Sequence, residues 1–535
     1  MYSRSDHTTD SLGKPNNTGF FVPTNSSETM HHALLISEVS REICAMMEYS
    51  SLPAVARTCR ALHDPALDEL WRDLFSIYPF VHLLPQVKPG ENQRTSVRTL
   101  TSQQWTTLRK YSARTRSLYM CMIDDLPFFD RFSCLSNPPG PDSFFPNLRT
   151  VAWYPDNHLA MLPLFRLLCG PTLTSLSAEF ATDPASLALV ANLGTLCPNI
   201  TDISISAPSE ALSDDLANAL STSICHWKDL AHVACDDLTV SALEHLSQAR
   251  NLDSLTACAS AHLSSFSKTF GAQELFFPRL QHLHLYTGLL STTTACFRGL
   301  RLALKEFRLD LFDAEEVFSG SSSSCLRDLF TALAESCSHP CLTRLYLCVI
   351  HPHFPSPHSA ATIRDIRPLL NFTRLRVVSL EGVSTFTFDD DDIAELASAW
   401  PDIEELALST CVDHPVASLP TLQSLFRLVS SCPKLKALSL VVDTTTLPTP
   451  LSCQVGRDVR SDILEYLCLG NSLINSPVAV AQVLHLVYPA LNHVDMSVWN
   501  KEPLDGLPWR DRYEVCWGLV NMELESLGER SVCFE

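Results

Sequence analysis

FPRLQHLHL, residues 277–285, decides the fold. Leu280, Leu283 and Leu285 take the first, fourth and sixth places of a Leu-x-x-Leu-x-Leu kernel. Alternate side chains of an extended chain face opposite ways. Leu283 and Leu285 therefore enter a core, while His282, His284 and Tyr286 face out. The kernel returns as FPNLRTVAW (145–153), CPNITDISI (197–205), FTRLRVVSL (372–380), WPDIEELAL (400–408), CPKLKALSL (432–440), ILEYLCL (463–469) and YPALNHVDM (488–496), often behind an aromatic or Cys and then Pro. With weaker copies such as LTSLSA at 173 and LDSLTA at 252, thirteen starts run from Leu148 to Leu491. Their mean spacing of roughly 29 residues lies at the long end of leucine-rich repeats. Stacked kernels predict a parallel sheet whose back is covered by the returning segments. Several returns have helical spacing. Asp389 to Ala399 opens with acids and places Ile393, Leu396 and Ala397 on one face, and Pro420 to Val429 repeats the pattern with Leu422, Leu425, Phe426 and Val429. The acid run Asp389–Asp392 is read as a helix start rather than a cation site. Only Cys411 fits the LxxLxLxxC form, so the solenoid is expected to be irregular. SGSSSS at 319–324, in the long gap between Leu304 and Leu342, reads as a loop.

Ahead of the array lies LLISEVSREICAMMEYSSLPAVARTCRALHDPALDELWRDLF, residues 34–75. It reads as three short helices. Ser37-Glu38 opens the first as a hydroxyl cap with an acid behind it, and Val39, Ile43, Met46 and Met47 recur at three and four. Pro53 suits the first turn of the second, with Leu52, Val55, Ala56 and Cys59 apolar. Asp64-Pro65 opens the third, with Leu67, Leu70, Trp71 and Leu74 on one face. About 40 residues bury little surface alone, so this module calls for a partner.

The pattern Ile36-Ser37-Glu38-Val39, Ile43, Leu52-x-x-Val55-Ala56-x-x-Cys59-Arg60, Asp64-Pro65-Ala66-Leu67-x-x-Leu70-Trp71 resembles the F-box motif, in the form common in fungal F-box proteins. The family usually carries Pro where Ser37 stands. The following array is similar to the leucine-rich repeats often found behind an F-box. The resemblance implies that Ile36, Val39, Ile43, Leu52, Val55, Cys59, Leu70 and Trp71 dock on the Skp1 adaptor, and through it on a cullin. The chain would then be a non-catalytic, target-recognising adaptor of a Skp1–cullin–F-box ubiquitin ligase. The alternative is a repeat scaffold without ligase function, its helical unit serving as an N-terminal cap.

The remaining organisation follows from composition. Residues 1–29 are polar and read as a disordered tail. An F-box-like domain is expected over 30–80, and a helical linker region over 81–144, with a helix from Trp105 to Met122 and a Pro-rich loop at 133–146. The repeats fill 145–499. Residues 500–535, with Trp509, Trp517 and Leu519, cap the open end of the array. Net charge is −20, which argues against nucleic acid or an anionic membrane as a general partner. No apolar run reaches 18 residues, so no transmembrane helix is expected. The first 30 residues lack a signal-peptide core. The 20 cysteines are therefore read as reduced thiols in the cytosol or nucleus.

No catalytic constellation emerges. The chain lacks GxxxxGK[ST], GxGxxG and GxSxG. Cys337-Ser-His339-Pro-Cys341 and His351-Pro-His353 come nearest to metal-ligand spacing, but no matching pair follows. Neither cofactor nor metal is expected. The functional surface is the outward, concave face of the strands: His282, His284, Tyr286, Glu306, Arg308, Asp310, Arg344, Tyr346, Glu381, Glu405, Tyr466, His493 and Asp495. Aromatics mixed with both charge signs suit recognition of a target protein.

Overall fold

The computed structural model describes residues 36–84, 100–121, 143–155, 158–208, 213–270, 277–298, 300–312, 322–349, 360–380, 384–408, 419–447, 460–497 and 510–532, with Leu135, Pro139 and Gly382. The polar tail, Glu381, Cys411, and the two histidines at 351 and 353 lie outside these residues. The chain forms two compact units that divide between Arg72 and Asp73.

The first unit holds α1 (Ser37–Ala45), a 3-10 turn (Tyr49–Ser51), α2 (Leu52–Val55) and α3 (Arg60–Leu70). Both α1 and α2 pack on α3. Two helix starts differ from expectation. Ser37 is the first helical residue rather than the cap. The N-cap is Ile36, which has no capping side chain, and the Ser37 hydroxyl instead donates to the Glu38 carboxylate at 3.0 Å. Helix α3 begins at Arg60 and runs through Pro65. Pro removes one N–H and so one intrahelical bond. The bond from His63 N to the Cys59 carbonyl at 3.1 Å has already closed the first turn ahead of it, and Pro65, Ala66 and Leu67 are buried together.

The second unit is an α/β solenoid. Its sheet has fourteen parallel strands in sequential order: β1 (Asp73–Leu74), β2 (Ser117–Cys121), β3 (Thr150–Tyr154), β4 (Ser175–Glu179), β5 (Asp202–Ser206), β6 (His232–Cys235), β7 (Ser254–Cys258), β8 (His282–Thr287), β9 (Glu306–Leu311), β10 (Arg344–Val349), β12 (Val377–Ser379), β14 (Glu405–Ala407), β15 (Ala437–Ser439) and β16 (Tyr466–Cys468). Strands β11 (Ala360–Ala361) and β13 (Thr385–Phe386) pair separately. The returns include α4 (Tyr78–His82), α5 (Ser102–Ser112), α6 (His158–Leu168), α7 (Pro184–Leu196), α8 (Asp214–Ile224), α9 (Val240–Ser247), α10 (Ala261–Phe270), α11 (Leu290–Phe297), α12 (Ser322–Ser336), α13 (Ile363–Ile366), α14 (Asp390–Ala399), α15 (Leu422–Ser431), α16 (Pro477–Val487) and α17 (Arg510–Val532).

The kernel explains the sheet. All thirteen first-position residues, Leu148 to Leu491, are buried. The residue after each starts a backbone ladder: Arg149 N bonds the Arg116 carbonyl, Thr174 N that of Arg149, and so on without a break to Glu465 N on Lys436. Each carbonyl also takes the next N–H, as the Arg149 carbonyl takes both Thr174 and Ser175 at 2.9 Å. Every turn of the chain thus closes its backbone bonds on its neighbour, as a stacked repeat requires. The weak copies at 173 and 252 form β4 and β7 like the others. Helix returns are capped as their sequences ask: Asp183 takes two N–H groups at the start of α7, and Asp389 with Asp392 forms a capping box on α14.

Five expectations are corrected. The sheet starts at Asp73, not near 145. Trp105 to Met122 is not one helix, because α5 stops at Ser112 and the chain enters β2, where Leu118 and Met120 alternate inward between two pairing strands. Ser322 to Ser324 belong to α12, drawn into the helix by Leu326, Leu329, Phe330 and Leu333, all buried at helical spacing. The thirteenth kernel makes no strand. Leu491 is buried, but only Asp495 N reaches the Leu467 carbonyl, at 2.7 Å. Phe80, placed by the sequence reading in the small domain, packs edge-on against Phe144 and Phe145 of the second unit, with centroids 6.1 and 5.4 Å apart.

Candidate protein-interaction surfaces

The first surface is on α1. Ser40 and Cys44 face inward. Burial raises the Cys44 thiol, with Glu69 adding to it. Beside that inward face Ile36, Val39, Ile43 and Met46 follow one another at three and four residues, which puts them on one stripe. Ile36 is 52% exposed and Met46 74% exposed, Val39 is exposed, and Ile43 is half-buried. Val55, Cys59, Leu70 and Trp71 are also half-buried. Leu52 differs, being 3% exposed and part of the unit's own core. The 3-10 turn and α2 are tied to α3 by Tyr49, whose hydroxyl donates to the Leu70 carbonyl at 3.2 Å, and by His63 Nδ1, 2.9 Å from the Ala56 carbonyl. Met46, absent from the predicted site residues, lies on the same exposed stripe. Its place in the three-and-four series was the signal for it.

The second surface is the open face of the sheet at β8–β10. Register sets His282, Glu306 and Arg344 side by side, then His284, Arg308 and Tyr346, then Tyr286, Asp310 and Cys348. The strands therefore bring together eight predicted residues. His284 Nε2 lies 2.8 Å from Asp310 and His282 Nδ1 3.6 Å from Glu306, which also faces Arg344 at 3.8 Å. The Arg308 guanidinium is held further above its ordinary range by the hydrogen bond to Asp310. Burial raises the Tyr286 phenol, whose hydroxyl donates to the Cys235 carbonyl. Burial also raises Tyr346, with Glu306 contributing. On both flanks the matching row is small: Ala152, Ser177, Ser204, Ala234 and Thr256 before it, Ser379, Ala407 and Ser439 after it. In that row the large side chains thus stand as a ridge between small ones.

The other predicted residues lie elsewhere. Glu405 is on β14, in the register row of Arg344 with Val377 between them. Tyr466 donates to Asp495 at 2.7 Å, with His493 nearby, at the far end of the array.

The chemistry of these groups is that of packing and pairing. Burial pushes the Cys258 and Cys337 thiols up to about 12 and Cys432 up to about 11. Ser260 Oγ and His262 Nδ1 both reach the Asp237 carboxylate, at 2.6 and 3.0 Å, so the serine is presented to the acid rather than to the imidazole. His339 is turned to the Ala334 carbonyl and Cys341 to the Ser338 hydroxyl. Among the described residues no group of three His, Cys, Asp or Glu side chains is arranged to hold a metal ion. No described helix is long and apolar enough to cross a membrane.

No protein-family model matches the chain, and no curated protein matches it. Among solved structures it is similar to a chain of the crystal structure of the Rad7 and Elc1 complex in yeast, at 16% identity over 73% of this chain and 92% of that chain, with a TM-score of 0.31. A likeness at that score assigns no partner.

Proposed function

We propose that the chain is a non-catalytic adaptor of a Skp1–cullin–F-box ubiquitin ligase. The α1–α3 unit docks a Skp1-like adaptor, and through it a cullin, while the open face of the sheet holds a target protein in the cytosol or nucleus. The reading is carried by the apolar stripe of α1, Ile36, Val39 and Met46, which stays exposed on a unit whose motif spacing resembles the F-box. Each such side chain contributes about 1.5 to 3 kcal/mol when fully covered, so leaving three open suits a surface that another chain covers. The ridge at β8–β10 adds the mixture of aromatics, Arg and acids that protein recognition uses.

The test is co-elution of the full chain with a purified Skp1-like adaptor. Val39→Asp combined with Met46→Asp should abolish co-elution without lowering the melting temperature, because both sites are exposed. Leu52→Asp is unsuitable, since it would unfold the unit whose core it enters. If the wild-type chain elutes alone, the ligase reading falls and the repeat scaffold without ligase function stands in its place.

A further inference from the structure

At the leading ends of β9, β10, β12 and β14 the sheet opens into a cavity of about 640 Å³ lined by Lys305, Arg344, Arg374 and Arg376, with Glu306 and Asp402 between them. Four cations face two carboxylates on a chain whose net charge is −20, so this groove runs against the sign of the molecule. Its acids are already engaged. Asp402 is paired at 2.7 Å with Lys434, which lies outside the lining, and Glu306 is shared between Arg344 and His282. Arg376 faces Glu404 at 3.5 Å. Lys305 and Arg374 are exposed and form no ion pair among the described residues. His282, Ala303, Pro340, Cys341 and Thr343 complete the lining and place some apolar surface among the charges.

We infer that this groove binds an acidic segment of the target protein, an extended run carrying several Asp or Glu side chains. Lys305 and Arg376 lie in one row with Thr343 between them, and Arg344 is one residue further along the middle strand. Two strand spacings set Lys305 and Arg376 about 10 Å apart, and an extended peptide, with side chains of one face about 7 Å apart, spans that distance with two long acidic side chains. A row of single carboxylates laid across the strands can therefore meet cations from β9, β10 and β12 in turn. A phosphate dianion is a poorer fit, because Glu306 and Asp402 stand between the cations and would repel concentrated charge. The inference rests on the reading of the sheet face as the target-binding surface, but not on any ligase partner.

The experiment uses the purified full chain and fluorescence anisotropy of a labelled octapeptide of alternating Glu and Gly. Binding should weaken steeply with salt. Arg374→Glu with Arg376→Glu should weaken it at least tenfold, and the milder Arg374→Gln with Arg376→Gln should do so less, both with unchanged melting curves. Arg364→Glu, an exposed arginine on α13, should leave it as it was. Three outcomes overturn the proposal: no binding by the wild-type chain, equal loss with Arg364→Glu, or tenfold tighter binding of a phosphoserine peptide of the same total charge. No adaptor protein is present, so failure here is distinct from failure of Skp1 docking.

Discussion

Arg308 Nε lies 3.0 Å from Oδ1 and 3.1 Å from Oδ2 of Asp310, two residues further along β9. Residues two apart on a strand share a face, so the guanidinium is held along its own strand rather than free over the sheet. His284 reaches the same carboxylate from β8, and Asp310 is only 7% exposed. One buried acid therefore orients two side chains of the ridge. Asp310→Ala should cost about 1 to 2 kcal/mol, because both donors are half-exposed or exposed and can turn to water. Urea unfolding measures the stability. Arg308→Ala should cost less, and a larger loss for Arg308→Ala than for Asp310→Ala would show that the acid is not the organising group.

The repeat was legible because a leucine at each inward place leaves a period-two trace, and its weak copies still kept Leu at the first and fourth places. β2 was not legible for the same reason. The ladder pairs Arg116 with Arg149, so Thr115, Leu118 and Met120 fill the places of Leu148, Val151 and Trp153, and Thr at the first place hides the kernel. The ridge at β8–β10 was half legible. Its residues could be named from alternation, but their crowding onto three strands depends on register and on small neighbours. The basic groove draws Arg374 and Asp402 from positions before the strands, where no alternation marks them.

Thr115 supplies a sharp case. Its side chain is fully buried, and Oγ1 has no hydrogen-bond partner among the described residues. The equivalent place in all thirteen kernels from Leu148 to Leu491 holds Leu or Ile. A buried hydroxyl without a partner costs about 1 to 3 kcal/mol. Thr115→Val keeps the shape and removes the hydroxyl, so it should raise stability by about 1 kcal/mol. Thermal and urea unfolding decide it, and a variant less stable than wild type would mean that the hydroxyl is satisfied in solution.

Acid should loosen the contact between α14 and α15. Burial pushes the Asp390 carboxyl up, but the Ser424 hydroxyl, the Thr421 N–H and hydroxyl, and Arg427 outweigh it and hold the group below its ordinary range. Thr421 N and Oγ1 each lie 2.8 Å from the carboxylate. A carboxyl lowered in the folded state adds stability above its unfolded value, near 4, and loses it as pH falls through the folded value. Asp390→Asn should therefore be less stable than wild type at pH 7, with the gap closing below about pH 4. Chemical unfolding at both pH values checks this, and a gap that widens in acid would reverse the sign.

The end of the array is closed by side chains instead of a strand. Asn521 on α17 accepts at Oδ1 from Val494 N–H at 2.7 Å and donates Nδ2 to the Val494 carbonyl at 3.0 Å, a two-bond pairing that imitates a neighbouring backbone. One turn away Trp517, 1% exposed, donates Nε1 to the Ser472 carbonyl at 3.0 Å, and Val520 and Leu524 are buried beside it. Together they satisfy polar groups left over where the thirteenth kernel fails to pair. Trp517→Ala should cost about 3 to 5 kcal/mol through the cavity it leaves. Asn521→Leu keeps the volume but strands the Val494 N–H and carbonyl, costing about 1 to 3 kcal/mol. Hydrogen exchange locates the effect. Both variants should lose protection first in β16 and at Leu491 to Asp495, with β3–β7 unchanged, since each repeat contacts only its neighbours. Loss of protection across the whole sheet at once would mean that the array unfolds as one unit and that α17 stabilises all of it.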